Sequence, residues 1–192
     1  MSTPSGDGAD FAEYANRFMS IANGAMDTFD RSIVNAAFLY GCARYNAYVV
    51  QAQGAPAGEV DPVSVAYLRE CYEKELTSHM SERLVKGTPA KVQDETRTAL
   101  TALDLMDQAR RTEFLDLADR YVNTANALTA ETDIGRISAM IMHACARFNV
   151  FLMQTGGLEA GRVDAERRDA YADMYETLLR RHLREKLVGR PE

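Results

Sequence analysis

Residues 11–86 recur, without a gap, as residues 114–189. The offset, 114 − 11 = 103, holds throughout, and just under a third of the 76 aligned positions are identical. Phe11 pairs with Phe114, Arg17 with Arg120, Ala22-Asn23 with Ala125-Asn126 and Asp30 with Asp133. GCARYNAY (41–48) pairs with ACARFNVF (144–151), Asp61 with Asp164, Tyr72-Glu73 with Tyr175-Glu176 and His79 with His182. Two copies at this period do not make a solenoid, whose units of roughly 20–45 residues stack in longer arrays. The pattern is that of a fused homodimer, and it predicts two equivalent units related by a pseudo-twofold axis.

Each copy reads as three helices. The first runs from about Asp10, where Asp10 and Glu13 form a capping-box pattern, to Gly24, with Phe11, Tyr14, Phe18 and Ile21 at helical spacing. Its equivalent covers about Thr112 to Leu128. The second starts at Asp30 (Asp133), an N-cap residue, and runs to about Gln51 (Gln154). After a Gly-containing loop the third starts at Asp61-Pro62, with Val65, Leu68, Tyr72, Leu76, Met80 and Leu84 on one stripe. Val34, Phe38, Gly41, Tyr45, Tyr48 and Val49 share one face of the second helix, and Ala36, Ala43 and Ala47 share the other. A helix that is apolar or small all round is a central one, and its small face invites close approach of a neighbour. No hairpin signal is present. The expected fold is all-α: two three-helix repeats (10–86 and 112–189) in one helical bundle, a disordered tail over 1–9, and a connecting segment over 87–111. Val92, Ala99, Leu103 and Met106 make that segment helical and allow it to run on into the next helix.

FLDLADRYVNTAN (114–126) and RISAMIMHACARFNVF (136–151) resemble a bacterial family of small helical proteins, domain of unknown function family 3144. Its pattern has an A-D-R-F…A-N stretch and an A-R-F-N-A-F stretch. The first copy departs from it, with Asn16 in place of the Asp and ARYNAY in the later stretch. The resemblance implies a tandem fusion of a small helical fold and implies no activity.

The 192-residue chain is long enough to bury a core without disulfides or metals. A formal net charge of −6 argues against nucleic acid or an anionic membrane as partner. The basic-looking RRHLREKL (180–187) does not change this. From Arg162 to Glu192, eight Arg/Lys face seven Asp/Glu, so the basic residues read as the end of a helix complementing its dipole. No signal region or membrane-length apolar run is present, and three cysteines without CxxC spacing fit buried thiols in the cytoplasm.

Four polar types recur where a core prefers apolar groups: Arg44/Arg147, Asn46/Asn149, Glu73/Glu176 and His79/His182. A guanidinium on a buried helix needs a carboxylate partner, and Glu73 (Glu176) is the expected one, with Arg17 (Arg120) and Asp30 (Asp133) nearby in the pattern. The set reads either as a structural network fixing helix register or as an anion-binding pocket. His79 and His182 lie on the apolar stripe of the third helix, as hydrogen-bonded core residues or as ligand or proton-transfer groups. The Glu-x-x-His pattern of dimetal bundles is missing. Glu75 precedes His79 by four on the same face, but Leu178 replaces it in copy two, which leaves an asymmetric metal site in copy one as an alternative. His143 faces Tyr40 in the alignment and drops out of the shared set. Cys42 and Cys145, in mid-helix apolar runs, read as buried and inert. No GxGxxG, P-loop, GxSxG or HExxH motif occurs, and no catalytic residue or cofactor is assigned. The expected function is therefore a non-enzymatic module for an unidentified protein partner or self-association. The alternatives are small-ligand binding or catalysis in a pocket of the recurring Arg/Asn/Glu/His set, and a metal-binding bundle.

Overall fold

Asp-Pro at 61–62 and the recurring aspartates start helices where the sequence places them. The computed structural model describes residues 7–56, 58–82, 93–103, 106–159 and 161–185. Its helices are α1 (Asp7–Ala25), α2 (Arg31–Ala52), α3 (Pro62–Met80), α4 (Gln93–Ala102), α5 (Gln108–Leu128), α6 (Ile134–Thr155) and α7 (Ala165–Arg184). Among the described residues every α-helix or strand element is helical, and no helix is long and apolar enough to cross a membrane. Asp61 accepts hydrogen bonds from the Val63 and Ser64 amides, and Asp133 and Asp164 cap α6 and α7 in the same manner. Asp30 occupies the N-cap position of α2 without a capping bond from its side chain.

Several boundaries differ from the sequence reading. The first helix starts at Asp7, so residues 7–9 belong to α1 rather than to a tail, and Asp10 lies inside it. Residues 1–6, 83–92 and 186–192, which include the rest of the expected tail, the break near 87–89 and the ends of both repeats, lie outside the described residues. The connecting segment is helical as α4 but does not run on into the next helix. Asp107 caps a separate α5, its side chain accepting from the Arg110 amide. The interhelical loops repeat in detail: Gly54 and Gly58 take positive φ (105° and 88°), and so do their equivalents Gly157 and Gly161 (97° and 84°). Only glycine adopts that backbone without strain, so these four positions hold both loops to one path.

The packing is intertwined. Helix α2 lies against α5, α7 and α6, and α6 lies against α1, α3 and α2. Within a copy, α1 touches α2 and α5 touches α6 only marginally. The two repeats form one helical bundle, as expected, and within it the copies are units of sequence and not of packing. The cause is legible in α2, which is buried on every side from Val34 to Ala43. Its own copy offers two amphipathic helices, too few to cover it, and the other copy supplies the rest. Full burial of α2 therefore needs both copies. At the α2–α5 crossing a Cβ on Gly41 would stand 2.9 Å from the Ala118 carbonyl oxygen and 3.2 Å from Tyr121 Cβ. Beside it Phe38 stacks on Tyr121, with centroids 4.1 Å apart and planes 6° from parallel.

Candidate functional site

At the pseudo-twofold axis, equivalent residues meet. The Tyr72 and Tyr175 rings stack with centroids 4.5 Å apart. Asn46 donates from Nδ2 to the Tyr175 hydroxyl (2.7 Å), and its Oδ1 accepts from Ser138 Oγ (2.6 Å). Asn149 donates likewise to the Tyr72 hydroxyl, which lies 3.6 Å from Cys145 Sγ. Cys42 and Cys145 lie within interacting reach of each other, and all six of these paired residues are buried. Burial pushes the Cys42 thiol and the Tyr72 and Tyr175 phenols well above their ordinary pKa values. Burial disfavours the Cys42 thiolate and makes this thiol a poor nucleophile.

The other members of the recurring set sit elsewhere. Arg44 pairs with Asp119 on α5 and not with Glu73; both side chains are about two-fifths exposed (36% and 46%), so this is a surface ion pair. Arg147 is half-buried. The position equivalent to Asp119 is Asn16, so copy one lacks the carboxylate that would complete an equivalent pair. Glu73 and Glu176 instead meet at Arg69, which also reaches Asp173 at 2.8 Å and Glu176 at 2.9 Å. Arg17 pairs with Glu131, and Asp30 joins neither Arg44 nor Glu73. The expected buried Arg–Glu network is thus dispersed. An Arg on the flank of a helix can snorkel to solvent along its own methylenes and needs no buried partner. A groove of about 310 Å³ between α2, α3 and α6 is lined by Tyr67, Cys71, Glu75, Ser138 and Met142, among others, and not by Arg44, Asn46, Glu73 or His79.

His79 and His182 stay on the buried stripe and are arranged alike. Nδ1 of His79 lies 3.5 Å from Glu82 Oε2, and Nδ1 of His182 lies 3.2 Å from Glu185 Oε2. Glu82 and Glu185 are themselves equivalent, a recurrence that the sequence reading missed although it stands three residues past each histidine. Nε2 of both histidines is buried without a hydrogen-bond partner. Each ring also has an aromatic neighbour 4.5 Å away, His143 for His79 and Tyr40 for His182.

Beyond this shared frame the ends diverge. In copy one Glu75 Oε2 accepts from His143 Nδ1 (2.9 Å) and lies 3.8 Å from His79 Nε2. Ligating atoms of Glu75, His79 and His143 all fall within 4.8 Å of one another. Burial, and then the neighbouring His143, lower the His79 pKa, and the bond from His143 holds the Glu75 carboxyl low. In copy two Leu178 and Tyr40 occupy the equivalent positions, and burial pushes His182 down to about 4.

No curated protein and no solved structure matches this chain. The family model described as protein of unknown function (DUF3144) matches it twice, over residues 11–84 and 114–187. Those two stretches are the intertwined copies, and the chain belongs to the DUF3144 family as a tandem duplication of its domain.

Proposed function

We propose that this chain is a non-enzymatic helical module, a covalent pseudo-dimer that acts through its surface in self-association or on a protein partner. One observation carries the reading. The recurring polar residues at the centre, Asn46, Asn149, Tyr72 and Tyr175, are sealed from solvent and bonded across the two copies. Groups occupied in that way hold helices in register and are not available to a substrate. The dispersal of Arg44, Glu73 and His79 weighs against the alternative of one anion pocket. Three free thiols, two of them buried, fit a reducing cytoplasm.

The test is native mass spectrometry of the chain purified under non-denaturing conditions from its own source, paired with chemical cross-linking. The module reading expects a defined oligomer or a stoichiometric protein partner. An activity that co-purifies with the chain, and disappears in a variant whose fold is intact, would contradict it.

A further inference from the structure

The recurring set does not account for the cluster where α3 and α6 meet. We propose that Glu75, His79 and His143 form a binding site for one divalent transition-metal ion of the zinc class, with Glu75 Oε2, His79 Nε2 and His143 Nδ1 as protein ligands. The site goes beyond the reading of the chain as an interaction module and stands or falls separately from it.

Its central observation is His79 itself. The residue is 3% exposed, and its Nε2 has no hydrogen-bond partner while facing Glu75 Oε2 at 3.8 Å. Buried imidazole nitrogens are ordinarily satisfied. Here the carboxylate of Glu82 beside Nδ1 favours the tautomer with its proton on that nitrogen, which leaves the Nε2 lone pair pointing into the cluster. A carboxylate behind the far nitrogen is the usual support of a metal-ligating histidine. The turn carrying Glu82 is tied down in turn, since Gln154 Nε2 donates to the Glu82 carbonyl at 2.7 Å.

The spacing fits. Bonds of roughly 2.0–2.2 Å in a tetrahedral site place ligand atoms about 3.3–3.6 Å apart. Two separations, 2.9 Å from His143 Nδ1 to Glu75 and 3.8 Å from His79 Nε2 to Glu75, straddle that value, and all three ligand atoms lie within 4.8 Å of one another. Modest side-chain shifts therefore close the site, with the ion replacing the proton now held between His143 and Glu75. Two imidazoles and a carboxylate are intermediate donors without thiolate, which suits zinc and its neighbours and disfavours Cu(I). Glu75 also lines the groove between α2, α3 and α6. The fourth coordination position can therefore be filled from solvent, the arrangement of zinc sites with three protein ligands and an open place.

The second copy supplies an internal control. His182 and Glu185 repeat the oriented histidine, but Leu178 and Tyr40 remove the other two ligands. One ion per chain is the result.

The full chain, stripped with a chelator, is titrated with Zn²⁺ alone by calorimetry and with Co²⁺ by visible absorption. One equivalent is expected, with the intense bands of four-coordinate cobalt and a higher melting temperature in zinc. Glu75→Leu and His143→Tyr, the residues of copy two, should each weaken binding at least tenfold, and His182→Asn should not. Should either of the first two fail to fold, Glu75→Gln and His143→Asn, checked by circular dichroism, are expected to give the same loss. Absence of a saturable equivalent in the native chain overturns the proposal, and so does affinity unchanged in folded variants at Glu75 and His143.

Discussion

The far ends of α3 and α7 began as the same structure and now differ in two residues that matter. Both bury a histidine, set its Nδ1 against a glutamate three residues on, and place an aromatic ring 4.5 Å from it. At the α7 end two of the equivalent positions hold Leu178 and Tyr40, and at the α3 end they hold Glu75 and His143. A duplicated gene keeps one fold in two places, so one place can change while the other continues to hold the bundle together. The shared part of each end is therefore the scaffold, and the unshared part is where a new property can arise.

Exchanging the residues of the two ends should have the largest effect. Leu178→Glu with Tyr40→His should give copy two the donor set of copy one and raise the zinc stoichiometry from one to two per chain, read by calorimetry and elemental analysis. A stoichiometry that stays at one in a folded double variant would mean that the shared His–Glu frame does not orient a ligand.

The next effect lies at the axis. Asn46 donates to Tyr175 and accepts from Ser138, whereas Asn149 Oδ1 is buried without a partner. Asn46→Ala should cost about 2–3 kcal/mol in urea unfolding and Asn149→Ala clearly less, because more groups lose a partner in the first case. Equal costs would show that the two amides are energetically equivalent despite their different bonding.

Acid should act on the α7 end. The folded-state pKa of His182 is about 4, below the ordinary value near 6.5, so the unfolded chain takes up the proton first. The stability held above the unfolded pKa is lost as pH falls from about 6.5 towards 4, by on the order of 2–3 kcal/mol. Around His182 stand Glu185, which favours the charged form, and Arg44 and Arg181, which oppose it. His182→Asn should flatten that part of the stability–pH curve measured by denaturant titration. An unchanged slope would remove His182 as its source.

Smaller effects separate the two crossings. Gly41→Ala should destabilise by roughly 1–3 kcal/mol, since the new methyl meets backbone at 2.9 Å, even though Ala144 occupies the same position in copy two. Arg44→Ala should cost no more than about 1 kcal/mol, the ordinary range for an exposed pair, and Arg147→Ala, with Asn16 at the position of the partner carboxylate, less still. Thermal melts resolve both orders, and a larger loss at Arg147 would restore the buried network expected from the sequence.

Much of the fold was legible in the residues. Asp61-Pro62 marked the start of α3, the all-round apolar surface of α2 marked it as central, and the paired loop glycines kept one register in both copies. The intertwining was not legible, because periodicity says which face of a helix is buried and not which helix covers it. The recurring residues told more about structure than about function for the same reason. Comparing the copies retains what both need, and both need the Asn–Tyr centre and the oriented histidines. It discards what only one copy carries, which includes Glu75 and His143. The i, i+4 spacing of Glu75 and His79 was visible, but His143 joins them only through the packing of α3 on α6.

The most direct measurement is the anomalous difference map of crystals of the full chain grown with Zn²⁺. One strong peak is expected, about 2.0–2.2 Å from Glu75 Oε2, His79 Nε2 and His143 Nδ1, and none between Tyr40 and His182. An empty cluster in α3 and α6, or equal peaks at both ends of the molecule, would contradict it.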